Sequence, residues 1–375
     1  MEAVANGKWE FVHTGGTTLA GKYLRRYWHP VYVSSRLTSG QAVPIQILND
    51  FFTLYRDNEG KPHVTAFRCP HRGTQLSTGW VEGDSIRCFF HGWKFDSTGQ
   101  CTEQPAEPKP FCHKIKIAVY PTEEQFGLIF AYFGEGSPPP IPRWPELETS
   151  GTVASMAVLP CNYFQSAENI LDDVHVGFAH SAVPELGGSP RGKTPPRVSA
   201  EETSFGLSVA FQNEDCVERN LFIMPNICYV AYSLGYSAAQ KQRQFRMRTL
   251  FWYVPIDDTS HYHVQVTSGP PFVTDSMRLE LEMPHSVKDE ILAVLAGKSN
   301  VHKEPPVPGK RMPNLVRIQD GVTIAGQGTI ADRSQDRLGA SDAGVILLRK
   351  IWQRELKSLA TGKPLVPFTR PTSFD

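Results

Sequence analysis

"CPHRGTQLSTGWVEGDSIRCFFHGWKF", residues 69–95, holds two cysteines and two histidines as C-x-H, sixteen intervening residues, then C-x-x-H. Each pair sits in a turn-like loop, "CPHRG" or "CFFHGW", with strand-like sequence around it. Structural zinc sites usually draw on C-x₂₋₄-C or H-x₃₋₅-H pairs. Here each pair mixes one Cys with one His. Two such loops facing each other offer two thiolates and two imidazoles. They could staple a zinc ion or hold an iron–sulfur cluster, and the choice separates a binding module from a redox enzyme.

The surrounding chain narrows the possibilities. Its 375 residues suggest two domains and are enough to bury a full core. Basic and acidic residues both total 38, so the formal net charge is zero and nothing points to nucleic acid or an anionic membrane. "MEAVANGKWEF" lacks the apolar core of a secretory signal, and no run reaches the roughly 18–20 apolar residues of a membrane span. A cytoplasmic protein is expected. The seven cysteines are odd in number and scattered, unlike a disulfide framework.

Residues 28–133 read as β. "PIQILND", "FFTLYRD", "HVTAFRC" and "LIFAYFG" are short runs rich in β-branched and aromatic residues, separated by turn formers. The proline-rich "EGSPPPIPRWPELE", residues 135–148, marks a boundary. Beyond it the pattern predicts helices over 164–182, 283–298 and 340–362, with Gly362 as C-cap. Strands are expected near 205–213, 220–234, 244–254 and 261–268. The second domain therefore reads as α+β, an antiparallel sheet with helices packed on it. The expected division is an N-terminal segment 1–27, a first domain 28–140 and a second domain 150–375.

A second ligand set lies in "SAENILDDVHVGFAHSA", as D-x-x-H-x₄-H. Asp172 and His175 share a helical face at i, i+3. His175 and His180 lie about 140° apart on an ideal helix. They can bind one metal only if the helix ends or bulges between them, and Gly177 is the expected place. Two imidazoles plus a carboxylate make the facial triad of non-haem Fe(II) oxygenases.

Together these motifs resemble the oxygenase (alpha) component of Rieske non-haem iron oxygenases. "CPHRG" and "C-x-x-HGW-x-F" match almost position for position. "LAGKYLRRYWHPV", residues 19–31, looks like the entry segment of the phthalate dioxygenase-like branch. The resemblance implies an N-terminal all-β Rieske domain followed by a helix-grip (START-like) antiparallel-sheet catalytic domain. It implies a Rieske [2Fe–2S] cluster on Cys69, His71, Cys88 and His91, and a mononuclear Fe(II) on His175 and His180. For the carboxylate ligand, Asp320, Asp332, Asp336 and Asp342 are candidates. "LVRIQDGVTIAGQG" matches the family segment in which an aspartate opens a helix, so Asp320 is chosen. By the same resemblance Asp172 hydrogen-bonds His175 and, across a subunit boundary, His71 of the adjacent chain, which implies a homotrimer or hexamer. Asp173 is the rival. Glu168 and Asn169 also match the family pattern, with Asn169 near the iron.

The implied activity is that of a terminal oxygenase in aromatic catabolism, using O₂ and electrons to hydroxylate a small aromatic substrate, an aromatic acid by preference. Dealkylation at an O- or N-alkyl carbon is the alternative, and a non-catalytic Rieske electron carrier is the third reading. The chain carries no flavin or nicotinamide G-x-G-x-x-G after a strand and no plant-type C-x₄-C-x₂-C. NAD(P)H is thus expected to act only through a separate reductase, with or without a ferredoxin. Arg68, Arg72, Arg87 and Lys94 could dock such a partner. Phe222, Met224, Tyr229, Tyr232 and Phe251 would suit an apolar ring. Arg246 and Arg248, at i, i+2 on one strand face, could pair with a substrate carboxylate.

Overall fold

Alternation of apolar and polar residues builds the first half of the chain. In β2, Ala42–Ile47, the buried Ile45 and Ile47 flank the half-buried Gln46. In β11, Leu128–Tyr132, all five residues are buried. The computed structural model describes residues 7–148, 151–181, 183, 195–213, 217–237, 242–270, 275, 278, 286–301 and 314–371. It divides into two units, Leu24–Ile141 and Met1–Tyr23 with Pro142–Asp375.

The Leu24–Ile141 unit contains three small antiparallel sheets. One joins β1 (Trp28–Val33), β11 and β10 (Thr122–Gln125). A second joins β2, β3 (Asp50–Arg56), β4 (Pro62–Ala66) and β9 (Val119–Tyr120). The third, β5 (Trp80–Glu82), β6 (Ser85–Arg87), β7 (Lys94–Phe95) and β8 (Cys101–Glu103), bears the second Cys-plus-His loop between β6 and β7. Tyr55, Leu76, Ile86, Trp93 and Phe95 form a buried cluster around Cys69 and Cys88.

The other unit is built on a seven-stranded antiparallel sheet. Its order is β12 (Val153–Leu159), β18 (Ser260–Ser268), β17 (Gln242–Asp257), β16 (Ile227–Ser237), β15 (Val217–Ile223), β14 (Gly206–Gln212) and β13 (Arg197–Thr203). The sequence pattern did not anticipate β12 or β13. In β13 only intermediate and exposed residues alternate, so no apolar signal marks it.

The N-terminal segment does not stand apart. Its aromatic residues, ahead of and within α1 (Leu19–Leu24), join the second unit. Phe11 stacks on Phe164 at 3.9 Å, and Tyr163 Oη donates to the Phe11 carbonyl at 2.8 Å. Trp352 closes this cluster with edge contacts to Phe11, Tyr23, Tyr163 and Phe164. Truncating such a buried aromatic typically costs about 3–5 kcal/mol.

The expected helix over 164–182 is two short helices, α2 (Tyr163–Asn169) and α3 (Val176–Ala179). The break falls between Asn169 and His175 rather than at Gly177, which lies inside α3. The remaining helices are α4 (Val287–Leu295), α5 (Leu315–Ala325) and α6 (Ala343–Ala360). Beyond α6, Gly362 has φ +66°, the left-handed conformation expected of a helix-ending glycine.

Cross-strand pairing assigns side chains to faces. Leu207, Phe222, Cys228, Phe251, Gln265 and Ser155 form one row across six strands. The helices cover this side. Arg317 of α5 donates to Ser155 Oγ at 2.8 Å and Gln265 Oε1 at 2.7 Å, and Gly344 of α6 approaches Val209.

Candidate metal centres

The two Cys-plus-His loops share one backbone design. Gly73 N–H donates to the Cys69 carbonyl at 2.9 Å, and Gly92 N–H to the Cys88 carbonyl at 3.0 Å. Both glycines have positive φ, +75° and +71°, which closes each turn without a Cβ penalty. The Cys69 and Cys88 side chains are buried and lie within hydrogen-bonding reach of each other. Burial, with Cys88 alongside, pushes the Cys69 thiol up. The His71 and His91 rings stand 4.5 Å apart, and His71 stacks on Trp93 at 4.6 Å. His71 Nδ1 is buried with no protein partner among the described residues. Two adjacent buried thiols and an orphaned imidazole nitrogen fit a metal group. An S₂N₂ donor set suits zinc or an iron–sulfur cluster.

Around these loops the basic residues have other work. Arg87 spans Glu82 at 2.8 Å and Glu103 at 2.8 Å, and Lys94 lies 3.3 Å from Glu82. Arg68 donates to the Gly73 carbonyl at 2.9 Å, and Arg72 lies over the exposed Phe90 ring.

The second candidate centre is assembled from the α2–α3 break and α5. His175 and His180 are the two caps of the four-residue α3. The helix runs unbroken from His175 and ends at His180, whose backbone is no longer helical, and both imidazoles reach Asp320. His175 Nε2 lies 3.3 Å, and His180 Nε2 3.1 Å, from Asp320 Oδ1. One donor atom from each of the three residues falls within 4.8 Å of the others. Two imidazoles and one carboxylate fit iron(II).

Asp320 does not open its helix as expected. It sits in the second turn of α5, so the carboxylate points from the helix side rather than from its start. Gly321 lets α4 approach, because a Cβ there would meet Ile291 at 2.1 Å. Burial opposes ionisation of Asp320, but hydrogen bonds from His175 and His180 outweigh it and hold the carboxyl far below the usual range. Burial likewise opposes charge on His175, yet Asp320 and Asp172 raise it to about 9.

The neighbouring residues divide into two groups. Asn169 Nδ2 donates to Asp320 Oδ1 at 3.2 Å. Gln319, which the sequence reading missed, accepts from His180 Nδ1 at 2.9 Å. Its one signal was its place beside Asp320. The expected hydrogen bond between Asp172 and His175 runs through the Asp172 backbone carbonyl, while the carboxylate lies 3.8 Å from the ring. Asp173 instead accepts from Asn220 at 3.1 Å and ties the break to the sheet. Glu168 is a structural anchor: it pairs with Arg333 at 2.8 Å and Arg349 at 2.6 Å. Asp332 caps Ser334, Asp336 pairs with Arg349, and Asp342 caps Gly339. These contacts account for the rival carboxylates.

Of the aromatic residues expected near a substrate, Phe222 and Phe251 share the helix-covered face. Tyr229 pairs with Leu250 and faces the opposite way. Arg248, paired with Ala231, is on that opposite face too, which corrects its expected role beside a substrate carboxylate. The side chains of Arg246 and Tyr232 lie outside the described residues.

Residues 27–121 match the model of the Rieske [2Fe–2S] domain. Over 97% of this chain and 80% of its own length, the tert-butanol monooxygenase / tert-amyl alcohol desaturase oxygenase subunit of Aquincola tertiaricarbonis is 30% identical. The chain belongs to the Rieske non-haem iron oxygenases. Two further relatives are the 5,5'-dehydrodivanillate O-demethylase oxygenase subunit of Sphingobium sp. and the phthalate 4,5-dioxygenase oxygenase subunit of Pseudomonas putida. The first is 29% identical over 97% of this chain and 82% of its own, and the second 28% over 96% and 89%. The fold of this Rieske oxygenase is similar to that of Pseudomonas putida CBB5 NdmA, with TM-score 0.65 and 20% identity over 91% and 93% of the two chains. It is also similar to the oxygenase in an oxygenase–ferredoxin complex of carbazole 1,9a-dioxygenase, with TM-score 0.64 and 19% identity over 92% and 94%.

An N-terminal β domain thus precedes a sheet-rich catalytic domain, as in its family. The Rieske oxygenase uses a [2Fe–2S] cluster, a mononuclear iron and O₂, with electrons from a separate protein. Among the described residues no helix is long and apolar enough to cross a membrane.

Proposed function

We propose that this chain is the terminal oxygenase of a multicomponent system that hydroxylates a small aromatic substrate, an aromatic acid by preference, in the cytoplasm. The observation that carries the reading is the convergence of His175, His180 and Asp320 from α3 and α5 within 4.8 Å, on the side of the sheet that bears Phe222 and Phe251. In this reading Cys69, His71, Cys88 and His91 hold the cluster, and His175, His180 and Asp320 hold the iron. When bound, the cluster relays single electrons and the iron activates O₂.

The chain's own residues hold and orient. Gln319 fixes the His180 ring by accepting from Nδ1, and the Asp172 carbonyl does the same for His175. Asn169 holds the shared oxygen of Asp320. Phe222 and Phe251 supply apolar surface on the face turned toward the helices. The Asp172 carboxylate, partly exposed, is the group proposed to bridge to His71 of an adjacent chain in a homotrimer or hexamer. Arg68 and Arg72 remain the basic groups nearest the loops for a reductase or ferredoxin, since Arg87 and Lys94 are paired.

A second reading, O-dealkylation, is favoured by the similarity to the Sphingobium demethylase subunit. One experiment separates the two: aromatic acids and aryl ethers are screened with a surrogate reductase, and products are read by mass. A gain of one or two oxygens supports ring hydroxylation, whereas loss of an alkyl group supports dealkylation. Reductant consumption with no organic product from any aromatic compound would overturn both.

A further inference from the structure

The helix-covered side of β18 presents His261, His263, Gln265 and Thr267 in alternation. Three of these have their polar atoms engaged. His261 bonds Ser166 Oγ at 2.8 Å and the Cys161 carbonyl at 2.7 Å. Gln265 accepts from Arg317 at 2.7 Å and donates to Thr267 Oγ1 at 3.0 Å. Thr267 and Thr249 hydroxyls lie 3.0 Å apart. His263 differs: its Nδ1 is buried with no partner among the described residues. A buried polar atom left unpaired carries a desolvation cost, so it calls for a ligand or a reason.

Its surroundings define the ligand. The His263 ring lies 5.3 Å from Phe251 and 5.5 Å from Tyr253, with the small Ala157 across the strand. His263, Ala157, Gln265 and Asp320 are each only half-buried as whole residues, although helices cover this face. Arg317, one turn before Asp320 on α5, anchors the helix to the neighbouring Ser155 and Gln265. Burial, reinforced by the nearby Arg317 and His261 and opposed by Asp320, keeps the imidazole uncharged at neutral pH.

We propose that His263 is a substrate-specificity residue whose Nδ1 hydrogen-bonds an uncharged hydroxyl on an aromatic ring held against Phe251. A neutral imidazole nitrogen suits a hydroxyl because the hydroxyl both donates and accepts, so either ring tautomer is served. A site built to bond a hydroxyl rejects the analogue that lacks it, because the buried nitrogen is then left unpaired. This inference rests on the reading of the chain as an oxygenase of aromatic substrates.

The test is anaerobic titration calorimetry of the ferrous holoenzyme with 4-methylphenol and with toluene, which differ by the hydroxyl. Wild-type protein is expected to bind 4-methylphenol about tenfold more tightly, the weight of one neutral hydrogen bond. His263→Phe should abolish that preference while toluene binds as well or better. Iron content and the cluster spectrum, unchanged from wild type, report that the variant folds; if His263→Phe loses iron, His263→Leu is judged by the same ratio. A preference retained in the variant, or absent from wild type while both compounds bind, overturns the role of His263 and leaves the aromatic reading standing. Binding of neither compound to iron-replete wild type overturns the role of His263 and leaves the aromatic reading to the product screen.

Discussion

His180 reaches Asp320 across 140 residues of sequence: its Nε2 lies 3.1 Å from Asp320 Oδ1, while its Nδ1 is held 2.9 Å from Gln319. One imidazole is therefore gripped at both nitrogens by consecutive residues of α5. The helix that supplies the candidate carboxylate also sets the orientation of the histidine.

Replacing Asp320 with alanine should remove the mononuclear iron and leave the cluster. Metal analysis is expected to fall from about three irons per chain to about two, with acid-labile sulfide and the visible spectrum unchanged. Retention of the third iron would move the carboxylate ligand elsewhere.

Gln319→Leu should loosen the same site without dismantling it. Losing the acceptor for His180 Nδ1 is expected to weaken iron affinity by about 10–100-fold, measured by competition with a chelator. An unchanged affinity would show that Gln319 only fills space.

Asp172→Asn keeps the backbone carbonyl that holds His175 and changes only the carboxylate. Both metals should be retained, while oxidation of the reduced cluster by O₂ in the presence of substrate stops. Stopped-flow absorbance in a single turnover reads this directly, and a wild-type rate would remove the proposed bridging role.

Glu168 joins two arginines in the interior, so its loss leaves the almost fully buried Arg333 side chain without its carboxylate. Glu168→Ala is expected to destabilise the protein by about 3–5 kcal/mol, read as a lower urea midpoint. A change below about 1 kcal/mol would place the anchor elsewhere.

The Leu24–Ile141 unit should weaken in acid through His29. Its Nε2 donates to the Leu24 carbonyl at 2.8 Å, and burial lowers its pKa from 6.5 to about 4. The unfolded chain therefore binds a proton between those values that the folded unit refuses. Stability is complete above about pH 6.5 and declines as pH falls toward 4, by about 3 kcal/mol at the limit. Urea unfolding followed by the cluster absorbance should show this slope, and His29→Gln should flatten it.

Several of these groups are legible in the residue pattern alone. The mixed Cys and His pairs, the glycines that close their turns and the alternation of β2 are local signals. The pattern at 163–181 located both histidines but misjudged the break, where the Asp172 carboxylate accepts from the Val174 N–H in a local turn and Asp173 is tied to Asn220 of the sheet. Strand alternation put Arg248 on a face but could not say which face the helices cover. β13 carries no apolar alternation and left no trace.

Residue chemistry and near neighbours along the chain are enough to say which atoms can bind metal and which short segments become strands or turns. Long-range packing was needed to bring Asp320 to His175 and His180, to set Gln319 against one of them, to make Glu168 an anchor and to leave His263 Nδ1 unpaired. Those facts arise from contacts between residues far apart in the chain. They are set by which face of the seven-stranded sheet packs against the helices, and no local pattern encodes that choice.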